Sequence, residues 1–104
     1  MYVTLLRDSF EKWSEETDHA DLLEHVLDCR FEMLAAVPNF ESNVYSALAA
    51  EVGYDRALLK LSEAHGILSS PEKFAKPGEE RRRLEHALLD DGVDLTDLTR
   101  RRQN

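Results

Sequence analysis

Four side chains able to hold or activate a ligand stand in one line of this sequence: Asp21, His25 and Cys29 at i, i+4 and i+8, with Glu32 beside them. Four-residue spacing stacks side chains on one face of a helix, and carboxylate, imidazole and thiolate groups all bind transition metals. One helix supplies two or three ligands, so a metal centre here needs His65 or His86 to complete it. No zinc signature is present, because there is no second Cys and no His-Glu-x-x-His run. We therefore read the line as an acidic, solvated helix face carrying an Asp–His pair and a half-buried Cys29, with no metal and no cofactor. As a nucleophile, Cys29 would need a cation or a helix N-terminus to lower its pKa. It sits mid-helix among acidic residues instead. The glycines, Gly53, Gly66, Gly78 and Gly92, are isolated, so no phosphate-cradling loop exists. The chain is not expected to be an enzyme.

Arg30 lies on the same helix and breaks its pattern. With Leu22 taken as zero, Leu22, Leu23, Val26, Leu27, Met33, Leu34 and Val37 fill an arc from about 0° to 140°, and Arg30 falls in its middle at about 80°. A guanidinium there must pair with a buried carboxylate or with helix-end carbonyls, snorkel to an edge, or line a groove that receives an anion. Pairing is the expected outcome. Phe31 falls at about 180°, where a solvated helix should carry a polar residue. Arg30, Phe31, Trp13 and Tyr54 are accordingly the candidate partner-binding residues, and a protein-interaction or adaptor role is the expected function. The partner is another protein or a second copy of the chain.

The span Ala47–Ile67 resembles a helix-turn-helix. It offers a small residue at the helix crossing (Ala49), a turn glycine four later (Gly53) and apolar contacts on the second helix (Leu59). On that alternative, Arg56 and Lys60 would meet nucleic acid. The charge speaks against it: residues 1–70 hold five basic and 13 acidic groups, and a negative body repels phosphate. Residues 71–104 hold eight of each, among them Arg81-Arg82-Arg83 and Arg100-Arg101-Arg102. We expect the first cluster to be solvated and locally ion-paired. The second could bind phosphate or the acidic face of another copy.

The elements that position these residues follow from composition and punctuation. Of the 104 residues, 16 are Leu and ten Ala but only one is Ile, so helix formers dominate and strand formers are scarce. With 42% apolar residues, the chain suits one all-α domain, a single compact bundle of five to six short helices. The spacing predicts helices over Tyr2–Glu16, from a cap at Thr17 or Asp18 to Ala36, from Asn39 or Ser42 to Gly53, from Asp55 to about His65, a short turn from Ser70 through Phe74, and Glu79–Asp91. Pro38 and Pro77-Gly78 act as stops. Val93 and Leu95 should fold back on the bundle, giving a domain over 1–95. From Thr96 the chain makes one more turn or frays, so that 96–104 is a basic, flexible tail. The net charge is −8, and the longest uncharged stretch, Ser42–Ala50, is far short of the ~20 residues of a membrane span. The opening residues lack the plan of a secretory signal. A single Cys forms no disulfide framework. Together these predict a cytoplasmic protein.

Overall fold

A computed structural model of the chain describes residues 1–13, 18–36 and 44–102. The expected caps at Thr17, Asn39 and Ser42 and the stop at Pro38 lie outside them. The order of elements is α1 (Tyr2–Glu11), α2 (His19–Ala36), α3 (Val44–Ala64), a 3-10 turn (Pro71–Ala75), α4 (Pro77–Asp90) and α5 (Leu95–Arg102). This is an all-α bundle, as the composition predicts. Helices α2 and α3 form the central pair, α1 crosses α3 and the 3-10 turn, and α4 and α5 close the remaining sides.

The apolar stripes explain the arrangement. In α1, Leu6 is fully buried, with Tyr2 and Phe10 one turn to either side partly covered. This helix stops at Glu11, before the expected Glu16, and Trp13 folds back with its backbone N–H on the Phe10 carbonyl at 3.1 Å. Leu22, Val26, Leu27 and Met33 are the buried residues of α2. Leu34, at the rim of its predicted arc, stays exposed.

The largest departure is α3. Two helices separated by a turn at Gly53 are expected, but one helix of 21 residues runs straight through it. Ala47, Tyr54, Ala57, Leu58 and Leu61 are all buried and keep one helical register across Gly53. Continuing that stripe outweighs the cost of about 1 kcal/mol for a glycine inside a helix. Asp55 is therefore not a cap. It lies mid-helix and is fully buried.

The true glycine stops come later. Gly66 and Gly92 adopt left-handed backbone, with φ of 73° and 94°. After each, the chain closes a Schellman motif, with Ile67 N–H on the Ser62 carbonyl at 2.9 Å and Val93 N–H on the Leu88 carbonyl at 2.8 Å. Pro71 and Pro77 each occupy a first helical position, which suits a residue with no N–H. Glu80, Leu84 and Leu88 make the buried stripe of α4. Beyond 95 the chain remains helical through Arg102. Asp94 caps α5 by accepting the Asp97 N–H at 3.0 Å, and Leu95 and Thr99 are buried one turn apart.

Candidate functional site

Two carboxylates inside the bundle account for most of the expected anomalies. Arg30 pairs with Glu85 of α4 through Nε–Oε2 at 3.1 Å, and Glu85 also accepts the Tyr54 hydroxyl. The guanidinium in the apolar arc thus meets a carboxylate on the facing helix, the pairing that burial demands. Asp55 is held the same way. Arg81 forks onto both its oxygens at 2.8 Å, and the Tyr2 hydroxyl donates to one of them. Burial pushes the Asp55 carboxyl up, and the Arg81 fork pulls it back. The Tyr2 and Tyr54 hydroxyls are both pushed well above the usual tyrosine range by burial, reinforced by Asp55 and Glu85 respectively.

Of the candidate partner-binding residues, Tyr54 is 0% exposed and so presents nothing to a partner. This corrects the sequence expectation. Its ring fills the core between α3 and α4, and its hydroxyl is spent on Glu85. Arg30 is engaged as described. Phe31 is 42% exposed on the outer face of α2 and is available. Trp13 is half-buried, with the Arg56 guanidinium 4.9 Å above its ring and His25 edge-on at 5.2 Å.

The nucleic-acid alternative loses its geometry. It needs a turn at Gly53 and a second helix presenting cations outward, and α3 has no such turn. Lys60 lies over the Phe10 ring at 5.1 Å, while Arg56 lies over Trp13 and donates to Ser9 Oγ at 3.3 Å. Both cations serve to clamp α1 against α3. The Arg56 Nε is buried with no hydrogen-bond acceptor among the described residues, while the guanidinium rests on the π face of Trp13.

The line Asp21–His25–Cys29–Glu32 does not gather into a centre. His25 Nε2 lies 3.6 Å from Cys29 Sγ, while His65 points elsewhere and His86 is exposed on α4. Among the described residues no three His, Cys, Asp or Glu side chains converge to hold a metal ion. Burial raises the Cys29 thiol, and Glu32 adds to the effect, so it rests protonated and weakly nucleophilic.

Two features carry no sequence signature. The first is an apolar groove of about 410 Å³ between α1 and the first half of α3, lined by Leu5, Ser9, Tyr45, Leu48, Ala49, Val52, Gly53 and Arg56. Leu5 is 41% and Tyr45 86% exposed along it. Gly53, with open space where a side chain would project, leaves the groove unfilled. The second is a chain of three polar side chains at one end of the bundle. His19 Nε2 and His65 Nε2 are 2.8 Å apart, and His65 Nδ1 meets Asp91 Oδ2 at 2.5 Å. His65 directly follows α3, Asp91 caps the C-terminus of α4, and His19 opens α2. The clue in the sequence was the pair of helix stops His65-Gly66 and Asp91-Gly92, but nothing in it says that the two ends meet.

Comparison with protein-family models, with curated proteins and with solved structures gave no match. Among the described residues no helix is long and apolar enough to cross a membrane.

Proposed function

We propose that this chain is a non-catalytic protein-interaction domain that docks an amphipathic helical segment of a partner in the α1–α3 groove. The observation that carries this is the groove itself. It is an apolar trough between two helices, open to solvent, with Arg56 among its lining residues. Leu5, Leu48 and Val52 offer apolar surface for the anchors of a helix face, and the exposed Tyr45 suits an aromatic contact. A single cysteine accords with a cytoplasmic setting.

Selection of a displayed library of helical peptides on the purified protein tests this. Enriched peptides should share apolar residues at i, i+3 or i+4. They should lose binding to Ala49→Glu, which places a charge in the trough from an exposed position. Equal enrichment on wild type and Ala49→Glu would overturn the proposal.

A further inference from the structure

The His19–His65–Asp91 cluster belongs neither to the groove nor to the buried ion pairs. Helices α2, α3 and α4 bring these residues together from far apart in the sequence. We infer that His19 Nε2 and His65 Nε2 form a two-imidazole site for a divalent transition-metal ion such as Zn²⁺, with Asp91 as the outer partner of His65 and water completing the coordination.

Three observations support this. First, the two Nε2 atoms face each other at 2.8 Å. Imidazole nitrogens about 2.1 Å from a tetrahedral Zn²⁺ lie roughly 3.4 Å apart, so the two nitrogens need to part by about 0.6 Å. His19 is exposed and free to make that adjustment. Second, the Asp91 carboxylate accepts from His65 Nδ1 at 2.5 Å. That bond places the proton on Nδ1 and leaves the Nε2 lone pair facing His19, the tautomer a metal requires. Before an ion binds, His19 Nε2–H donates to that lone pair, and as the ion binds that proton moves to His19 Nδ1 through solvent. A metal-bound histidine usually has such a carboxylate behind it. Third, two of the three helix ends that meet here are the C-termini of α3 and α4, whose dipoles favour a cation against the opposing N-terminus of α2, and Asp91 supplies a full negative charge. An ion held here would staple the start of α2 to the ends of α3 and α4.

The site differs from the Asp21–His25–Cys29 line, and one set of variants separates them. Zn²⁺ binding to the purified chain, followed by competition with a chromophoric chelator, should show one ion per chain, with Mg²⁺ not taken up. Proton spectra should show the His19 and His65 ring signals moving on titration. His19→Ala should abolish uptake. Its side chain is exposed, so this variant keeps the fold, which far-ultraviolet circular dichroism will verify. His65→Gln should do the same. Asp91→Asn should weaken binding by roughly 10–100-fold, and His25→Ala should leave it unchanged. No uptake by the wild type, uptake that survives His19→Ala, or uptake lost in His25→Ala would each overturn the assignment.

Discussion

Asp55 shows at the residue scale how a polar group in the core is made tolerable. It is fully buried, yet each of its oxygens is used by Arg81, and Tyr2 adds a third donor. Removing one partner strands the other, which is where such pairs become costly. Arg81→Met should therefore destabilise the fold by about 3–5 kcal/mol, and Asp55→Asn by less, because the amide keeps one acceptor for Tyr2. Urea denaturation of the two variants measures the difference. Tyr54→Phe deletes one hydroxyl from Glu85, which keeps its ion pair with Arg30, so its cost should be only about 0.5–1.5 kcal/mol. Because Tyr54 lies inside, the same variant should leave peptide docking untouched. Cys29, raised by burial, should react with iodoacetamide far more slowly in the folded chain than in urea at the same pH.

At the scale of elements, α3 decides between two architectures that the sequence alone leaves open. Gly53 has nothing near its missing side chain and sits within a continuous helix. Gly53→Ala should therefore raise stability by roughly 0.5–1 kcal/mol. A helix-turn-helix with a glycine turn there would be damaged by the same change, so the sign of the shift in thermal midpoint distinguishes the two. Gly92 gives the opposite result. Its φ of 94° closes α4 in a conformation that side chains resist, and Gly92→Ala should cost about 1–3 kcal/mol. Periodicity located the other helices well, since Leu6, Leu22, Val26, Leu84 and Leu88 occupy the stripes their spacing predicts. Helix ends were less legible. The end of α1 depends on Trp13 turning back toward Arg56 and His25, which no local propensity encodes.

For the whole molecule, α4 is tied to the segment before the 3-10 turn by Glu80. It accepts from Ser69 at 2.6 Å and from Arg83 at 2.5 Å, while Arg83 also donates to the Leu68 carbonyl. The Arg83 guanidinium holds the Glu80 carboxyl below the usual glutamate range. Its folded-state pKa thus lies under the unfolded one, near 4.3 or so. The contribution is complete above that pH and is lost as the pH falls through the folded value. Glu80→Gln should cost about 1 kcal/mol at neutral pH. The gap between its urea midpoint and that of the wild type should close in acid. What the residues determined by themselves was the all-α class, most helix positions and the demand that Arg30 find an anion. These follow from propensity, 3.6-residue periodicity and the cost of burying charge, all of which act locally or on one side chain at a time. Only the tertiary structure decided that the anion is Glu85, that α3 runs unbroken through Gly53, that Tyr54 is buried, and that His19, His65 and Asp91 meet. Each of these depends on which helix faces which, a choice made by packing the shared core rather than by any stretch of sequence alone.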